Sequence, residues 1–70
     1  MKKDEIIKLW KSGLNKNKVA EVYRRNYNQR IKIIRLDPRH RHERFMTKYE
    51  ALRSVEKIIL EEVRRYTNDN

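Results

Sequence analysis

A chain of 70 residues with 19 Lys and Arg against ten Asp and Glu has room for one small domain, residues 1–70, burying roughly 60% of its unfolded surface. It has no cysteine, which excludes a disulfide framework, thiolate chemistry and cysteine-ligated zinc, so stability must come from regular helix packing or self-association. The net charge of +9 is concentrated: residues 16–44 hold ten basic side chains against three acidic ones, whereas residues 45–70 balance five against five. A polyanion-binding surface requires that concentration and an evenly solubilised one does not.

In chain order, Asp4 is a good N-cap, and Ile6, Ile7, Leu9 and Trp10 form an apolar face that predicts a first helix. The apolar run is too short and too charged for a signal peptide or membrane span, which implies a soluble, cytoplasmic protein. Gly13, the only glycine, reads as the left-handed residue that stops this helix, with Leu14 packing back on it. Asn15 caps a second helix whose core face is Val19, Ala20, Val22 and Tyr23. Arg24-Arg25-Asn26-Tyr27-Asn28-Gln29-Arg30 is polar, and its asparagines favour a turn.

Ile31, Ile33, Ile34 and Leu36 then admit two readings, a helix with Ile31 and Ile34 facing inward or a β-branched strand over residues 30–36. Helix is preferred, because a lone strand needs a partner and no second strand candidate exists. Asp37-Pro38 suits a cap and first turn, so Arg39 to Phe45 is read as a short helix, with Phe45 and Met46 closing the junction between the basic region and the last helix. Thr47-Lys48-Tyr49-Glu50 is a capping box, the clearest local signal in the chain. Leu52, Val55, Ile59, Val63 and Tyr66 recur at helical spacing behind it, with Lys57–Glu61 and Glu61–Arg65 as supporting pairs. The expected fold class is therefore all-α: three to four helices, helix-turn-helix-like over residues 4–35, with a long C-terminal helix over 47–66 and a frayed tail at 67–70.

Enzymatic constellations are missing. A single glycine allows no phosphate-cradling loop, and no serine stands in a nucleophile context. His40 and His42 lie among Arg39, Arg41 and Arg44, whose charge disfavours both protonation and a metal site with Glu43. The expectation is a non-enzyme without cofactor, metal or small-molecule substrate.

The stretch Ile6-Ile7-Lys8-Leu9-Trp10-Lys11-Ser12-Gly13-Leu14-Asn15-Lys16-Asn17-Lys18-Val19-Ala20-Glu21-Val22-Tyr23 resembles the opening of helix-turn-helix domains in transposases, resolvases and small phage regulators. In that family an amphipathic helix ends in a Gly-Leu turn and a capped helix comes next, with Val-Ala near its start. The resemblance implies that Ala20 sits where two helices cross closely, that Val19 and Tyr23 are core, and that a recognition helix lies in Asn26 to Arg35. The sequence departs from the family at Arg24, Arg25 and Asn26, where a glycine and an apolar residue are usual. Either the turn is longer, or the second helix continues unbroken through Tyr27 to Ile34.

In both geometries the middle segment carries suitable chemistry. Arg presents a planar donor fork to phosphate and guanine, and Asn and Gln pair with adenine. The candidate nucleic-acid contacts are Lys16, Lys18, Arg24, Arg25, Asn26, Asn28, Gln29, Arg30, Lys32, Arg35, Arg39 and Arg41. The expected partner is duplex DNA, with RNA open because phosphate contacts alone do not distinguish the two. A homodimer through the 47–66 helix would double those contacts, as in a regulator or architectural factor of a phage or mobile element. Two alternatives stand beside this: a ribbon-helix-helix dimer pairing Arg30 to Leu36, and an interaction module docking on an acidic protein partner.

Overall fold

The computed structural model describes residues 1–40 and 43–67. Within them the chain is all-helical: α1 (Lys3–Lys11), α2 (Lys16–Ile34) and α3 (Lys48–Thr67), with one 3-10 turn at Pro38–His40 and no strand. No helix of the described residues is long and apolar enough to cross a membrane.

The helix ends follow local chemistry in most places. Helix α1 starts two residues earlier than expected: Lys2 occupies the cap position without a side-chain bond, and Asp4 and Glu5 fall in the first turn. Carboxylates there complement the positive end of the helix dipole without capping it. Gly13 takes φ +110, as expected for a left-handed stop. A Cβ built on it would meet nothing within 4 Å, so backbone conformation rather than space selects glycine. Asn15 caps α2 by accepting from the Lys18 N–H at 2.9 Å. The capping box at α3 is formed from both sides: the Glu50 N–H donates to the Thr47 hydroxyl at 3.2 Å, and the Thr47 N–H donates to the Glu50 carboxylate at 3.4 Å.

The segment expected to turn at Arg24 to Asn26 does not turn. Helix α2 runs through it for 19 residues to Ile34, so the continuous reading holds there and the strand needed by a ribbon-helix-helix dimer is absent from residues 30–34. The physical reason is that the apolar period persists across the polar stretch. Val19, Ala20 and Ile31 are buried, and Tyr23, Tyr27 and Ile34 are half-buried, so tertiary burial overrides the weak helix preference of asparagine. Of the helix expected from Arg39 to Phe45, Arg39 and His40 lie in the 3-10 turn Pro38–His40, residues 43–45 are not helical, and 41 and 42 lie outside the described residues. Asp37 accepts from the Arg39 N–H at 3.0 Å, enough for a single turn, while residues 43–47 have no regular structure.

The core is small. Ile6, Val19, Ala20, Ala51 and Val55 form one buried cluster, with Leu9, Trp10, Leu14, Tyr23, Leu52 and Ile59 among the side chains packed around it. Lys16 meets Glu56 at 3.1 Å, and Met46 meets Asn28 near the middle of α2, so α2 and α3 run antiparallel. Helix α1 lies along the C-terminal half of α3, with Lys3 3.8 Å from Glu61 and Lys11 3.5 Å from Glu62. These contacts replace the expected pairs within α3: Glu61 turns to Lys3, and Arg65 reaches Glu62 at 3.9 Å. Lys11 also donates to the Tyr66 hydroxyl at 3.1 Å. That bond raises the Lys11 pKa above its ordinary value, opposed by desolvation and helped by the charges of Tyr66 and Glu62. Thr67, expected to fray, ends α3 with its hydroxyl donating to the Arg64 carbonyl at 3.1 Å; the rest of the expected tail, 68–70, lies outside the described residues.

Candidate nucleic-acid interface

Steps of seven, four and three residues return to one line along an α-helix. On α2 those steps connect Lys18, Arg25, Gln29 and Lys32, all exposed, on the side away from Ala20, Tyr27 and Ile31. At 1.5 Å per residue this line is about 21 Å long. Arg25 shares its charge with Glu21 at 3.0 Å, both side chains being exposed, an ion pair that a competing phosphate can displace because such pairs contribute little. Lys18, Gln29 and Lys32 make no side-chain hydrogen bond or ion pair among the described residues. Asn26 and Arg30 are also exposed, but the helical turn carries them to one side of the line, Arg30 farther than Asn26.

The remaining candidates divide into groups with other occupations. Arg24 and Asn28, expected as contacts to DNA, instead hold the chain that precedes α3. Asn28 presents its amide to the backbone of Met46 as another peptide would: the Met46 N–H donates to Oδ1 at 2.6 Å, and Nδ2 donates to the Met46 carbonyl at 3.2 Å. Arg24 Nε donates to the same carbonyl at 3.3 Å. Both side chains are half-buried, and moving them to a ligand would leave the Met46 backbone groups unpaired. Lys16 is joined to Glu56. Arg39 meets Asp37 at 3.2 Å, an exposed pair of the same displaceable kind as Arg25–Glu21. Arg35 caps the end of α2 and lies 5.1 Å from the centre of the Phe45 ring, a cation–π contact that leaves the guanidinium exposed. Arg41 lies outside the described residues, as does His42 of the rejected histidine site.

Two surroundings were not visible from the sequence. An open groove beside the line is walled by Ile33 and Phe45 and edged by Arg25 and Lys32, with Gln29 at its side. A second recess brings Lys48 from the first turn of α3 together with Lys18 and Arg24, against the single carboxylate Glu21. Lys48 was not legible: antiparallel pairing alone would set the start of α3 against the end of α2, whereas the structure places it beside Lys18 and Arg24. Among the described residues no group of three or more His, Cys, Asp or Glu is arranged to hold a metal ion. No protein-family model, curated protein or solved structure matches the chain.

Proposed function

We propose that the protein binds duplex DNA through the outward line of α2, with Lys18, Arg25 and Lys32 meeting phosphate and Gln29 placed to meet a base edge. The observation that carries this reading is the alignment of three cations and an amide along one exposed helix face, with Glu21 as the one carboxylate paired with them among the described residues. An α-helix about 10–12 Å across fits the major groove of B-DNA, which is about 12 Å wide. Helix α1, the Gly13 turn and α2 make the helix-turn-helix-like unit of this reading, with α2 serving as both supporting and reading helix. Arg30 and Arg35, to the side and at the end of α2, add phosphate contacts and register.

A homodimer through α3 belongs to the same proposal. Leu60 and Val63 are 50% and 40% exposed on that helix, beside half-buried Leu52 and Ile59, and the charges of residues 45–70 balance, so two copies meet there without net repulsion. Such a dimer regulates transcription by occupancy or shapes DNA in a mobile element. The test is a gel shift with random duplex DNA using wild type and a Lys18→Ala/Arg25→Ala/Lys32→Ala variant. Retarded complex with wild type and at least tenfold weaker binding by the variant are expected; equal binding by both removes the line from the interface. Structured RNA run in parallel assigns the polymer.

A further inference from the structure

Three large apolar side chains near the C-terminal end of α2 are left uncovered by the described residues. Ile33 is 64% exposed, Leu36 82% and Phe45 45%. Phosphate gains nothing from them, so they are unexplained by DNA binding. Ile33 and Phe45 face one groove, and the Asn28–Met46 clasp holds Phe45's neighbour against α2, so the groove is built by the fold rather than by a chance rotamer. The cations Arg25 and Lys32 edge it and no carboxylate lines it.

We propose that this groove docks an acidic amphipathic helix of a protein partner, a function beyond the DNA reading that shares the cations of α2 with it, so that the two occupants compete for one face. The shape of the occupant comes from spacing. On α2 the exposed strip Lys18, Val22, Arg25, Gln29 and Lys32 runs straight for about 21 Å at steps of four, three, four and three residues, and its cations give a helix of opposite charge a line to lie along. Leu36 lies just past the end of this strip, in a tighter turn closed by its N–H on the Ile33 carbonyl at 3.2 Å. The chemistry of the occupant comes from the rim: cations around apolar walls select leucine-type side chains flanked by carboxylates. A second copy of the same surface is disfavoured, since it would press cation against cation.

The probe is a fluorescein-labelled peptide of about 18 residues, long enough to match Lys18 to Leu36, with leucines at alternating three- and four-residue steps and glutamates beside them. A scrambled peptide of identical composition is the control. Fluorescence anisotropy at about 150 mM salt, where surface attraction alone is screened, is expected to show saturable binding of the patterned peptide only. Ile33→Ser/Leu36→Ser and Phe45→Ser are each expected to weaken it at least tenfold, as truncated anchors of a helix groove do. These positions are on the surface, so the variants keep the wild-type circular dichroism and bind duplex DNA within about twofold of wild type. Equal binding of the scrambled peptide, or undiminished binding by the variants, overturns the proposal. So does capture by anionic phospholipid vesicles, or self-association in sedimentation, that depends on Ile33 and Leu36 while the peptide does not bind, because the patch then has another occupant. Failure of the peptide leaves the DNA reading intact, and failure of DNA to bind leaves this one intact.

Discussion

The two halves of α2 are held by different physics. Val19 and Ala20 in the first half enter a buried cluster shared with Ile6, Ala51 and Val55. The second half buries Ile31 to 4% exposure outside that cluster, and its registered attachment is the polar clasp between Asn28, Arg24 and the Met46 backbone. An apolar period thus runs the length of the helix, but only one half of it meets other helices in a common core. The other half is fastened by hydrogen bonds that specify geometry and contribute less free energy, and it is the half that carries most of the exposed cations and apolar side chains available to partners. A fold this small thus keeps its stable body apart from the end proposed to bind.

The comparison breaks most visibly in the core. Ile6→Ala is expected to destabilise the protein by about 3–5 kcal/mol, a large share of the stability of a 70-residue domain, whereas Ile31→Ala is expected to cost nearer ~2 kcal/mol because it removes packing from one half of one helix. Urea unfolding of both variants measures the difference; equal costs would mean that the two halves share one core. Asn28→Ala is expected to cost about 1–3 kcal/mol, since it strands the Met46 N–H and leaves the Met46 carbonyl to Arg24 alone. Amide exchange should then accelerate at Met46 and residues 29–36 while Val19 to Tyr23 keep their protection. Uniform acceleration would show that the clasp stabilises the whole fold.

Gly13→Ala is expected to cost about 1–2 kcal/mol, from placing a Cβ at φ +110 in otherwise open space, measurable as a lowered urea midpoint. The smallest effect concerns Lys11. Its folded pKa lies above the unfolded value because Tyr66 and Glu62 favour the charged form, so the resulting stabilisation is fully present below the ordinary lysine pKa and is lost as pH rises through the raised one. Lys11→Met should therefore lower the melting temperature slightly at pH 8 and leave it nearly unchanged once wild-type Lys11 has titrated.

The helical class, the Gly13 stop, the Asn15 cap and the Thr47–Glu50 box were legible because each rests on contacts within four residues. The continuity of α2 was legible only as one of two readings. Asn26 and Asn28 argue locally for a turn, and the clasp that makes Asn28 useful inside a helix comes from Met46, 18 residues away. The candidate site was legible as a charge count and blurred as geometry for the same reason. Nothing near Arg24 or Asn28 announces that they face Met46, while the alignment of Lys18, Arg25, Gln29 and Lys32 becomes readable once the helix is known to be unbroken. Glu61 shows the same limit, its neighbours Lys57 and Arg65 losing to Lys3 of α1.

The most direct measurement is the salt dependence of duplex DNA affinity, by fluorescence anisotropy between about 50 and 200 mM salt, for wild type and for Lys18→Ala and Lys32→Ala singly. About four phosphate contacts predict a loss on the order of 100-fold in affinity over that range, and each substitution should lower the logarithmic slope by about one. An affinity indifferent to salt, or slopes unchanged by removing either lysine, would contradict the assignment of the outward line of α2 to DNA.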